Sequence, residues 1–226
     1  MILAFEGFEK SIELPLGQAT TVEINNRKLF ARIVQSIVGG AKEPLEPFTL
    51  WKDDSEVKSS AVFYYLADPI HLPYRDSKFE GLMLESIQNE LHRNVDAYIE
   101  LESLIERAKR IIEDGALALN SDYSLAISLD MPKLLKSLGF CVDGGEERPL
   151  LDNLIQFMGF TKDIGFDKWI VVTNLKSFFD KKDLEIFFDQ ADFYDFSCLL
   201  LETSHDSERH RHEIKYQVDE QFIENW

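Results

Sequence analysis

The sequence predicts an α/β protein with a long helical arm inserted between the two halves of a head, and three observations carry that prediction. First, two wholly apolar segments, 169–173 and 197–201, flank a helical stretch. Strands with no polar alternation are buried on both faces, and strand–helix–strand of this kind is a parallel βαβ unit. Second, from about Asp76 to Leu119 there is no proline, and apolar residues step by four over much of the stretch. Third, the 226 residues are 45% hydrophobic and 29% charged, a composition that excludes a disordered or fibrous chain. With 11 glycines and 7 prolines, long regular elements are favoured over an all-β chain of many tight turns.

In order, residues 2–5, 11–16 and 20–24 read as strands, the last two by alternation. Asn26 is a good N-cap for a helix carrying Leu29, Phe30, Ile33, Val34 and Ile37, which Gly39 and Gly40 stop. A loop with two prolines over 41–47 leads to strands at 48–51 and 62–66, separated by the turn residues Asp53, Asp54 and Ser55. The arm follows, with Phe79, Met83, Ile87, Leu91, Val95 and Ile99, then Leu101, Leu104, Ile105, Ala108, Ile111 and Ile112. A helix of ~35 residues extends about 50 Å, longer than a small domain is wide. Its narrow apolar stripe suits packing on another helix, from the same or another chain. The alternative is two ordinary helices folded back near Asn94.

Beyond the arm, a helix begins at Pro132 and is closed by Gly139, the favoured asymmetry. Residues 140–142 are a candidate strand and 143–145 a turn. A helix over 149–160 precedes the apolar strand 169–173, a helix over 184–191 and the strand 197–201. The tail 212–218 alternates weakly and reads as an edge strand. The expected division is a head of residues 1–75 and 123–226 and an arm of residues 76–122.

With 24 Lys and Arg against 41 Asp and Glu, the net charge is −17, which excludes a uniformly basic nucleic-acid coat and leaves room for a local basic face. Cys141 and Cys198 sit in apolar segments and read as free core thiols; with no secretory leader and no membrane span visible, a cytoplasmic protein is expected.

The strand 20–24, the loop from Asn25 to Lys28 and the helix after it have the layout of a phosphate loop. That loop needs glycines for the phosphates and a Ser or Thr after the lysine; here there is no glycine, and Leu29 follows Lys28. The strand 169–173 runs into Asn174, with no carboxylate for magnesium. The sheet is thus phosphate-loop-like in a degenerate form. His210 and His212 alternate in a charged tail and read as solvated. No nucleophile elbow is present, and no feature requires an enzyme.

Two groups of charge stand out. Glu113, Asp114 and Asp122, at the end of the arm, are hard oxygen ligands of the kind calcium takes, without EF-hand spacing. Arg107, Lys109 and Arg110 are the densest basic run; Lys133 and Lys136 follow on the next helix, and Arg27 and Lys28 lie on the N-terminal loop. A helix end favours cations through its dipole, so the arm's run also has a purely structural explanation.

The stretches 133–139, 169–180 and 184–202, with 24–34 near the N-terminus, resemble the type II-A CRISPR spacer-acquisition proteins of the Csn-two family, in a divergent subtype. The resemblance implies an α/β head related to phosphate-loop proteins without their catalytic residues, and a long arm. It implies a homotetrameric ring, basic inside and acidic outside, that threads double-stranded DNA from a free end. It also implies calcium near the junction of arm and head, and work alongside the integrase pair and the effector nuclease, with no nuclease activity of its own. The expected DNA-facing cations are Arg27, Lys28, Arg107, Lys109, Arg110, Lys133 and Lys136; the expected calcium ligands are Glu113, Asp114 and Asp122. After the arm, where short members are rich in carboxylates, Asp122 is the one acid between Asn120 and Ala126. Two other readings stand beside the clamp: an ATPase with a degenerate loop, and a helical oligomerisation module that does not bind DNA.

Overall fold

In the computed structural model, residues 1–39, 44–121, 123, 130–142 and 148–225 are described. They divide into two compact units, one of Met1–Leu72, Gly144–Lys162 and Phe166–Trp226, the other of Pro73–Asp143 with Asp163–Gly165. Expectations for 40–43, 122, 124–129 and 143–147, including the turn at 143–145 and most of the stretch after the arm, lie outside the described residues.

The first unit is a mixed α/β body with two sheets. β1 (Ile2–Phe5), β2 (Ile12–Glu13), β4 (Phe48–Lys52) and β5 (Ser55–Glu56) form a small antiparallel sheet in the order β2-β1-β4-β5. The turn between β4 and β5 puts Asp53 and Asp54 in the left-handed region, which short polar side chains tolerate. The large sheet runs β10-β9-β3-β8-β7-β6, from β3 (Ala19–Ile24), β6 (Phe63–Tyr65), β7 (Trp169–Thr173), β8 (Cys198–Glu202), β9 (Glu213–Val218) and β10 (Glu224–Asn225). All neighbours are parallel except β9 and β10.

The apolar runs behave as read. β7 and β8 are parallel neighbours joined through α7 (Lys181–Phe193). Pleating sends Val171 and Leu199 to one face and Ile170 and Leu200 to the other, and all four are buried. On the first face they meet Val22 and Ile24 of β3, Leu29, Ile33 and Ile37 of α1 (Arg27–Gly39), and Leu3, Phe5 and Leu50 of the small sheet. α7 packs against β3, and α6 (Leu150–Asp163) buries Leu154, Phe157 and Met158. A four-residue helix, α2 (Ser59–Val62), precedes β6.

Two expectations about this unit are corrected. The tail strand is not an edge: β9 lies between β3 and β10, with five parallel partners on β3 from Thr20 through Ile24 and a sixth at Ala19. Its polar residues Glu213 and Lys215 enter a buried cluster of charge on one face of the sheet, described below. His210 and His212 precede β9; His210 stacks on Phe188, with centroids 5.4 Å apart, and His212 has a positive φ beside Asp192.

In the second unit the apolar stripe is carried by two helices, not one. α3 (Ser77–Arg93) and α4 (Val95–Ala116) meet at Asn94, which is the C-cap of the first and the N-cap of the second. Its side chain accepts from Ala97 N at 3.2 Å, so the amide supplies a helix start where the chain leaves helical geometry. α3 buries Phe79, Met83 and Leu84, whereas α4 has no buried residue, so the chain breaks near Asn94 without α4 being packed away along α3. α5 (Met131–Ser137) starts with Asp130 capping Lys133 N and Pro132 in its first turn, and Gly139 follows at φ +71°. It packs on α3. Residues 140–142 form no strand, and Cys141 is exposed; Cys198, in β8, is the buried thiol. No described helix is long and apolar enough to cross a membrane.

Candidate nucleic-acid interface

The cations fall in both units. In the first, Arg27 and Lys28 open α1 directly after β3 and are exposed. Asn26 Oδ1 accepts from Lys28 N and Leu29 N, each at 3.1 Å. Two amides that a phosphate loop would offer to a ligand are thereby used by the chain itself. The first turn has no acidic residue, so two side-chain cations add to the positive end of the helix dipole. Neither makes an ion pair among the described residues.

In the second unit, Arg107 and Arg110 are three apart on α4, hence neighbours on one face, and exposed without an ion pair among the described residues. Lys109 is not part of that pair: it is half-buried and donates to Glu106 at 2.7 Å. The helix runs on to Ala116 and its last turn holds no basic residue, so the helix-end dipole does not account for these cations. On α5, Lys133 and Lys136 also stand three apart and exposed. Lys133 Nζ lies 2.7 Å from Asp130, whose carboxylate holds the ammonium above its usual value. Lys136 donates to Glu80 of α3 at 3.3 Å. The structure thus gathers Arg107 with Arg110, Lys133 with Lys136 and Arg27 with Lys28 into three local pairs.

The carboxylates at the end of the arm fare differently. Glu113 and Asp114 are consecutive and exposed on α4, and Asp122 lies outside the described residues. Among the described residues no group of three or more His, Cys, Asp or Glu side chains stands together as a metal site. Two adjacent exposed acids do not supply the six to eight oxygens that calcium takes, so the described residues do not fit that ion at the arm.

Sequence reasoning preferred an arm packed on another helix, of this or another chain; among the described residues α4 has no buried residue. Val95, Ile99, Leu104, Ile111 and Ile112 are between 56% and 64% exposed. Two ordinary helices folded back near Asn94 were the alternative reading of the same stripe.

A family model described as CRISPR-associated protein (Cas_Csn2) matches residues 44–222. The stretches 133–139, 169–180 and 184–202 lie inside the match, and 24–34 outside it. No curated protein matches the chain.

Proposed function

The chain belongs to this family of CRISPR-associated proteins, which supports a role in CRISPR adaptation, and from that premise we propose that it is a non-catalytic ring-shaped clamp on double-stranded DNA ends. The observation that supports this reading is the exposed apolar face of α4. Exposed apolar residues in this number mark an interaction surface, and a helix without one buried residue gains its stability from a partner. A second copy of the chain is that partner, and the assembly is a homotetramer. The pairs Arg107 with Arg110, Lys133 with Lys136 and Arg27 with Lys28 are its phosphate contacts. Such contacts carry no base information, so binding is independent of sequence and falls steeply with salt. Local pairing of cations within each unit reconciles binding with a net charge of −17. The integrase proteins and the effector nuclease are the partners in spacer uptake.

The test compares labelled linear duplex with covalently closed circular duplex of the same sequence, with mass measured by light scattering. A tetramer that shifts linear DNA and leaves circular DNA free is the expected result. Equal binding to both forms overturns the threading of ends, and a monomer at all concentrations overturns the ring.

A further inference from the structure

The carboxyl ends of parallel strands in an open α/β sheet border the crevice where such sheets hold ligands. Here the chain sets its own charge on one face of the sheet, from the carboxyl ends of β3 and β8 across to the amino half of β9, where Glu213 is level with Ala19. Glu23 comes from β3, Glu202 from β8, and Glu213 and Lys215 from β9; Lys176 lies in the 3-10 turn Leu175–Phe178 after β7, and Asp206 in the connection from β8 to β9. Glu23 and Glu202 are fully buried, and Lys176 and Lys215 nearly so.

Lys176 Nζ donates to three carboxylates: Glu23 Oε1 at 3.0 Å, Asp206 Oδ2 at 2.5 Å and Glu213 Oε1 at 3.2 Å. Lys215 Nζ lies 3.1 Å from Glu23 Oε1 and donates to Asp206 Oδ1 at 2.9 Å. Gln217 Nε2 donates to Glu23 Oε2 at 2.8 Å, and His205 Nδ1 is 3.9 Å from the same oxygen. Burial pulls the Lys176 ammonium down, but Asp206, Glu213 and Glu23 outweigh it and hold it above the usual lysine value. One acid oxygen is left over: Glu202 Oε1 accepts from Lys176 N at 3.1 Å, while the buried Oε2 has no hydrogen-bond partner.

One point, the Lys176 nitrogen, therefore collects three hard acid oxygens within 3.2 Å, with a further buried carboxylate close by. Calcium takes that donor class at about 2.3–2.6 Å in a flexible shell. We propose that Lys176 is a tethered cation: its ammonium occupies the position of a divalent ion on this face of the sheet and keeps the position closed to free calcium. The reason is charge balance. Without Lys176, the acids Glu23, Asp206 and Glu213 face Lys215 alone, and buried acids without compensation are strongly destabilising. A calcium ion restores the missing charge, and Asp206, whose side chain is 36% exposed, lies on its way in. Magnesium, which demands a tight octahedron at about 2.0–2.1 Å, fits the spacing less well.

The inference is independent of the clamp reading. Its test replaces the charge and keeps the bulk, as Lys176→Met in the full chain. After exhaustive chelation, calorimetric titration with calcium chloride is expected to show one more calcium per chain than the wild type takes. The Tm of the variant falls, and calcium recovers more than half of the loss, magnesium less. The double variant Lys176→Met with Glu213→Gln lacks one acid charge, so the charge balance no longer calls for the ion, and it gains no calcium. If Lys176→Met does not fold without the ion, its refolding yield from urea across a calcium titration gives the same reading. A saturable rise supports the tethered cation; a flat yield, or an equal gain of calcium by the double variant, overturns it.

Discussion

Glu202 offers the sharpest quantitative prediction. Its carboxyl is fully buried at the end of β8, and burial pushes it up to about 7, although Lys176 opposes the rise. In the unfolded chain a glutamate titrates near 4.5. As the pH rises through that value the unfolded state releases the proton first, and the folded state keeps it until about 7. Stability therefore falls with rising pH across this window and is level for this group above it. The full gap corresponds to about 3 kcal/mol. Glu202→Gln keeps an oxygen to accept from Lys176 N and cannot ionise. At pH 5 both proteins carry an uncharged group with an unsatisfied donor, so their stabilities are close. At pH 8 the variant is more stable by about 1–3 kcal/mol, the lower figure allowing for relaxation around the charge. Urea unfolding at fixed protein concentration, followed by the fluorescence of buried Trp169, measures this at pH 5, 6, 7 and 8. Other titrating groups cancel in the difference between the two proteins. A difference that is the same at every pH would refute the reasoning, because Glu202 would then hold one protonation state throughout.

Reversing Arg107 and Arg110 together to Glu is expected to lower DNA affinity at least tenfold and leave the oligomer mass unchanged, read by gel shift and light scattering; unchanged affinity removes this pair from the interface. Ile99→Asp with Ile111→Asp is expected to reduce the oligomer to smaller species while the unfolding free energy of the chain at low concentration moves by less than about 0.5 kcal/mol, since both positions are exposed. Asn94→Ala removes the side-chain cap on Ala97 N and costs about 1 kcal/mol of helix stability; hydrogen exchange accelerates in the first turn of α4, and unaltered exchange there counts against the cap.

Which of these features were legible in the sequence follows from what pattern encodes. β7 and β8 were readable because burial on both faces leaves no room for polar residues, a signature few solvated segments share. The α5 boundaries were readable because Pro132 and Gly139 act through local backbone geometry. β9 was misread as an edge because charged residues at alternate positions look the same whether water or buried ion partners satisfy them. Glu213 and Lys215 find their partners on β3, the 3-10 turn and the connection before β9, none of which their own sequence neighbours disclose. The break at Asn94 was readable only as an alternative, because the apolar stripe keeps step across it, each helix continuing the other's spacing. Residues 140–142 have the composition of a strand but pair with no strand among the described residues. The basic residues were identifiable as cations on helices. Which of them are paired off, as Lys109 is with Glu106, depends on rotamers and neighbours that spacing alone does not fix.

The position of β3 governs how the chain must assemble. This strand, near the beginning of the chain and outside the family match, pairs on one side with β8 and on the other with β9, almost the full length of the chain away. During synthesis, β1, β3 and α1 emerge early with a strand whose two neighbours do not yet exist. β6, β7 and β8 can pair with one another and with β3 once β8 is made, and only the later β9 covers the other edge of β3. Closure of the sheet is thus a late, non-local event with a high loop-closure cost, and folding is slow compared with a helical bundle of this size. Until β8 is made, β3 presents two open edges, and until β9 follows, one, the state in which a nascent chain is most exposed to mispairing.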